Sequence, residues 1–144
     1  MRDRLDWNID GRDWPNRDAS RFVRAGGLNW HVQQFGPSPK QAPLIALLHG
    51  TGSSTHSWRD VAPLLARRCA VIAMDLPGHA FTDLPIPASE QSLPGMAQRV
   101  GALFKELDVQ PQVIVGHSAG AAIAAQMVLS AQAKPAALVS LNGA

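Results

Sequence analysis

Val113-Ile114-Val115-Gly116-His117-Ser118-Ala119-Gly120-Ala121-Ala122-Ile123 is the stretch from which the rest of the chain can be read. A β-branched run predicts a strand over 113–115, and the alanine-rich segment that follows predicts a helix over 119–131. Between them lies Gly-x-Ser-x-Gly, the pattern of a serine on a strained strand-to-helix turn. The requirement is steric: such a turn brings neighbouring backbone so close that the positions two before and two after the serine must be nearly free of side chain. Gly116 and Gly120 meet it. The Ser118 hydroxyl then stands above the strand end, where the first N–H groups of the helix point. Ser118 is therefore a candidate nucleophile and the Ala119 N–H a candidate oxyanion donor. The alternative, a glycine-rich turn carrying an ordinary surface serine, is disfavoured by the flanking strand and helix.

A second segment supports this reading. His49-Gly50-Thr51-Gly52 follows the apolar run Leu44–Leu48, and a loop at that strand end suits a backbone N–H, that of Thr51, meeting the N–H of Ala119. Fixed donors of this kind stabilise charge that develops only in the transition state, each by about 3 kcal/mol. Gly50 allows the close approach, and His49 reads as a residue that orients the loop rather than as a base. Ser53 to Trp58 either shape a pocket mouth or form a polar loop in which Ser57 caps the next helix. Asp75-Leu76-Pro77-Gly78-His79 has the chemistry of a structural turn. His117, next to the serine, is expected to point away from the pocket as a buried, hydrogen-bonded histidine.

Further out, Arg21–Ala25, Gly26-Gly27 and Leu28–Gln34 predict a hairpin. Beyond a polar linker, the expected order is strand 44–48, helix 57–68, strand 70–74, helix 93–107, then the strand and helix around Ser118, and strand 137–141. Alternation of apolar strands with helices implies an α/β fold: a mostly parallel sheet with helices on both faces and an antiparallel N-terminal hairpin. Residues 1–20 read as an arm and 21–144 as the N-terminal part of one domain, truncated after the strand that follows the serine's helix.

Composition narrows the function classes. A chain of 144 residues and 15.4 kDa, 46% hydrophobic and 17% charged, suits one globular domain rather than a disordered or coiled-coil chain. Its longest apolar runs are far below the roughly 20 residues that cross a bilayer. The first residues, MRDRLDWNIDGRD, carry no apolar signal core, so a cytoplasmic protein is expected. Half of the charged residues lie in the first 40, but both signs alternate there, which argues against nucleic acid despite a net charge of +2. The same segment holds Trp7, Trp14 and Trp30, so the arm is expected to pack onto something. Cys69, the single cysteine, is expected to be a buried thiol. Scattered histidines offer no metal constellation, and no cofactor is expected.

A serine hydroxyl needs a histidine to take its proton and a carboxylate to orient that histidine, in the chain order Ser, acid, His on such a sheet. Residues 119–144 contain no Asp, Glu or His. The expectation is that these 144 residues alone are at best weakly active and that the missing partners lie beyond Ala144.

LLHGTG at 47–52, DLPGH at 75–79 and VGHSAG at 115–120 resemble the α/β-hydrolase superfamily. A narrower likeness, carried by WPNR at 14–17, GGLNWHVQ at 26–33, HGTGSSTHSWRD at 49–60, SLPGMA at 92–97, GHSAGAA at 116–122 and the terminal LNGA, is to the magnesium-chelatase accessory proteins of bacteriochlorophyll synthesis. The resemblance implies Ser118 as nucleophile and a role near magnesium insertion into protoporphyrin. It also implies chelatase subunits as partners and a small-molecule substrate, a porphyrin or an ester. Hydrolysis of an ester, thioester or amide through an acyl-enzyme is the first functional reading. A non-catalytic porphyrin-binding or chelatase-assisting protein is the second. Ala80 departs from the superfamily pattern, which often has glycine after Gly-His.

Overall fold

The computed structural model describes residues 4–143. Gly26 and Gly27 both adopt positive φ (53° and 80°), the requirement of a tight two-residue hairpin turn, and join β1 (Ser20–Ala25) to β2 (Leu28–Phe35) with Ala25 opposite Leu28. The chain continues through β3 (Leu44–Leu48), α1 (Val61–Leu65), β4 (Ala70–Met74), α2 (Leu93–Glu106), β5 (Val113–His117), α3 (Ala119–Leu129) and β6 (Ala137–Leu141). The six strands lie in the order β1-β2-β4-β3-β5-β6. β2 pairs antiparallel with β1 and β4, whereas β3 pairs parallel with β4 and β5, and β5 with β6. This is the expected α/β architecture with its antiparallel entry. No described helix is long and apolar enough to cross a membrane.

Alternation along the strands divides the core. Ala70, Ile72 and Met74 of β4 face the larger cluster, with Trp30, Val32, Ala46, Leu48 and Ile114, under Ala97, Val100, Leu103 and Phe104 of α2 and Ile123, Ala124 and Met127 of α3. Val71 and Ala73 face the opposite way, toward Leu47, Trp58 and Ala62 of α1. Helices therefore cover both faces, and each large apolar side chain fully removed from water contributes roughly 1.5–3 kcal/mol. The Ser92 hydroxyl accepts the Gly95 N–H (3.3 Å) and starts α2.

Three local expectations need correction. The helix expected over 57–68 is instead a 3-10 turn at Thr55–Trp58 followed by the five residues of α1. Pro63 explains the break: it has no N–H to donate to the preceding turn and is accommodated only within the first turn of a helix. The cap is Ser54, whose hydroxyl accepts the His56 N–H (3.2 Å), and not Ser57. Cys69 is half-buried rather than buried, because β4 begins one residue later. At the other end, β5 runs on to His117, and α3 stops at Leu129, before left-handed Ala131 (φ 57°).

Candidate active site

Ser118 sits between β5 and α3 at φ 51°, ψ −119°, a region that non-glycine residues enter only when their surroundings impose it, at a cost of about 1–3 kcal/mol. Two hydrogen bonds hold it there: its N–H donates to the Leu141 carbonyl (3.0 Å), and its carbonyl accepts the Ala121 N–H (2.9 Å). The glycines on either side are sterically compelled. A Cβ on Gly120 would strike the Leu48 and His49 carbonyl oxygens, and one on Gly116 would strike the backbone of Gly120 and Ala121. The Ser118 side chain has no hydrogen-bond partner among the described residues.

The loop after β3 passes directly over this turn. A Cβ on Gly50 would lie 3.1 Å from His117 Nδ1 and 3.2 Å from Ser118 Cβ, so the loop can run this close only without one. The next residue, Thr51, is exposed, and its N–H has no acceptor among the described residues. Ala119 is the first residue of α3, so its N–H also lacks an intrahelical acceptor. A hydroxyl on a strained turn thus has as close neighbours, in the chain or across the Gly50 contact, two residues, Ala119 and Thr51, whose N–H groups have no internal acceptor among the described residues.

His49 is fully buried and both ring nitrogens are engaged: Nδ1–H donates to the Gly50 carbonyl (2.7 Å), and Nε2 accepts the Leu76 N–H (2.8 Å). Burial, with the nearby His79 and His117 rings acting in the same direction, pushes its pKa down to about 4, so it is a neutral strut between the loops after β3 and β4. His117 contradicts expectation. It is exposed and its side chain makes no hydrogen bond among the described residues, because β5 carries it one residue past its last pairing with β3, where it lies against Gly50 while still paired with Leu141 of β6. No histidine hydrogen-bonds Ser118 among the described residues.

Sequence reasoning missed a buried polar network beside the site. Asp75, fully buried, accepts the Thr55 N–H on Oδ1 (2.7 Å), and on Oδ2 the Phe81 N–H (3.2 Å) and His31 Nδ1–H (2.7 Å). His31 Nε2 meets the Ser20 hydroxyl at 2.9 Å, and Trp7, Trp14, Phe22 and Phe81 surround its ring. The signal was the acidic residue at the end of an otherwise wholly apolar strand. Its partner could be named only after β2 was known to neighbour β4, since His31 and Asp75 meet across that pair.

With the sheet order, the strained serine and the two converging loops in place, the class is defined, and residues 43–144 match the family model described as the alpha/beta hydrolase fold. The chain belongs to that family. Among curated proteins it is 40% identical over 117 residues to the "Magnesium-chelatase 30 kDa subunit" of Rhodobacter capsulatus, covering 81% of this chain and 40% of that one. It is also 37% identical over 100 residues to a pimeloyl-[acyl-carrier protein] methyl ester esterase of Aeromonas hydrophila, covering 69% of this chain and 35% of the esterase. The chain thus spans two fifths or less of these relatives' lengths. Among solved structures, an epoxide hydrolase from Vigna radiata superposes with a TM-score of 0.75 at 28% identity, over 84% of this chain and 38% of the other.

Proposed function

We propose that this chain carries the nucleophile half of a serine hydrolase site. Ser118 gives its proton to a base and attacks an ester, thioester or amide carbonyl, and the N–H groups of Thr51 and Ala119 receive the oxyanion. Its collapse expels the alcohol, thiol or amine carrying that proton, and water then hydrolyses the acyl-enzyme to the carboxylic acid and free Ser118. The observation that carries this reading is Ser118, held at positive φ against the loop of Gly50, with the neighbouring Thr51 and Ala119 amides lacking internal acceptors among the described residues. Gly116, Gly120 and Gly50 permit the approach, and His49 holds the loop without acting as base. The base and its carboxylate would come from outside residues 119–144, which contain no Asp, Glu or His. An ester is the favoured substrate class, in keeping with the methyl ester esterase among its relatives. The test is fluorophosphonate labelling of the full-length protein: one equivalent on Ser118, lost in Ser118→Ala, is expected, and an unlabelled but folded protein overturns the proposal.

The likeness to the chelatase subunit favours a second reading, in which the protein assists magnesium chelatase in the cytoplasm and binds a porphyrin, keeping the strained turn only for packing. Ser118→Ala separates the two. Restoration of the phenotype of a strain lacking the gene favours the assisting role, whereas a folded but inactive variant favours hydrolysis. Fold alone does not choose between them.

A further inference from the structure

Residues 4–19 do not trail from the domain; they are fastened to the loops at the strand ends that frame the site. Arg4 pairs with Asp83 in the loop after β4. The Trp7 ring lies 4.8 Å from His31 and 4.9 Å from Phe81, beneath the Arg17 guanidinium at 4.2 Å. Trp14 stacks edgewise on Phe81 (5.0 Å) and His56 (5.5 Å), and its Nε1–H donates to Thr55 Oγ1 (3.1 Å). Asn16 Nδ2 donates to the Arg59 carbonyl (2.9 Å), and Gln33 Nε2 holds the Pro15 carbonyl (2.7 Å).

Thr55 gives these contacts direction. It is fully buried and held at two points, its N–H by Asp75 and its hydroxyl by Trp14. The segment bearing the Thr51 N–H is strung between His49, locked by the Gly50 carbonyl and the Leu76 N–H, and Thr55. Between those anchors its internal backbone bond is Ser53 N–H to the Gly50 carbonyl (3.2 Å). A five-residue span with one internal backbone bond, tied besides by the Ser53 hydroxyl to that of Ser57, depends for its placement on its ends, and an oxyanion donor must be in position before reaction to be effective.

We propose that the N-terminal arm is a positioning element of the Ser118 site, in which Trp14, acting through Thr55, fixes the downstream end of the loop that presents the Thr51 N–H. The inference rests on the oxyanion reading given above for its catalytic consequence, and on the contacts alone for its structural one. The experiment uses the full-length protein with Trp14→Phe, which keeps the stacking but loses the donor, Thr55→Val, which loses the acceptor at equal size, and Thr55→Ser, which restores it. Hydrogen exchange at the Ser53, Thr55 and Ser57 amides is expected to quicken about tenfold in Trp14→Phe and Thr55→Val, while the β3 and β4 amides are unchanged. Thr55→Ser should behave as wild type. Turnover of p-nitrophenyl acetate should lose about tenfold in kcat at constant KM in the same two variants. Loop exchange within twofold of wild type in both variants overturns the proposal. If Trp14→Phe fails to fold, Thr55→Val decides the question from the other end of the bond. A wild-type protein that neither turns over ester nor takes the fluorophosphonate sinks the Ser118 reading, while loop exchange still judges the arm.

Discussion

His49 shows how one side chain can set a pH limit without taking part in chemistry. Its neutral ring is required by the two hydrogen bonds it makes, and burial holds its pKa near 4, against an unfolded value near 6.5. The unfolded chain therefore binds a proton that the folded one refuses. Its contribution is intact above pH 6.5 and is withdrawn as pH falls toward 4, by roughly 3 kcal/mol over that window. Denaturant titrations between pH 7 and pH 4 should show this decline, and His49→Gln should flatten it from a lower starting stability. Gly120→Ala forces a methyl group onto the Leu48 and His49 carbonyls, which are backbone and cannot turn aside. A loss of about 3 kcal/mol or more in denaturant unfolding is expected. Ala80 is the converse case. It stands at φ 41° where glycine would be unstrained, so Ala80→Gly should leave stability unchanged or raise it by up to about 1 kcal/mol, since relief of the left-handed strain outweighs the added freedom of the unfolded chain.

Among the elements, the Asp75 carboxylate bonds at once to β2, to the loop after β3 and to the loop after β4. Asp75 accepts three donors, so an amide in its place would set its NH2 against one of them. Asp75→Asn should destabilise by about 3 kcal/mol, measured by thermal or denaturant unfolding. At this scale the sequence was informative where local chemistry is decisive. Paired glycines specified the hairpin, Gly-x-Ser-x-Gly specified the turn at Ser118, and uninterrupted apolar runs specified β3 and β4. It was silent where distant segments meet. Nothing local to His31 or Asp75 says that they touch, and nothing local to Trp14 says that its indole donates to Thr55. The helix expected over 57–68 was shortened for a nearer reason, since Pro63 has no N–H to donate to a preceding turn and so sits within the first turn of the five-residue α1.

Across the whole molecule, burial is uneven. β4 is buried throughout, whereas every residue of β6 is exposed, including Leu138, Val139 and Leu141 at about 40% each. β6 is also the sheet's outer strand, with one row of backbone groups unpaired among the described residues. An exposed apolar edge is a template for pairing with another chain. The 144-residue chain is expected to self-associate at micromolar concentration, and Val139→Lys to shift it toward monomer in sedimentation velocity. Such pairing bears on the Ser118 turn, because the Leu141 carbonyl holds the serine's N–H. The position of the tryptophans has an optical consequence. Trp30 and Trp58 lie in the core, whereas Trp7 and Trp14 belong to the arm and sit against histidine rings. With the core pair replaced by phenylalanine, emission from the remaining two would become a gauge of whether the arm is seated, readable in real time.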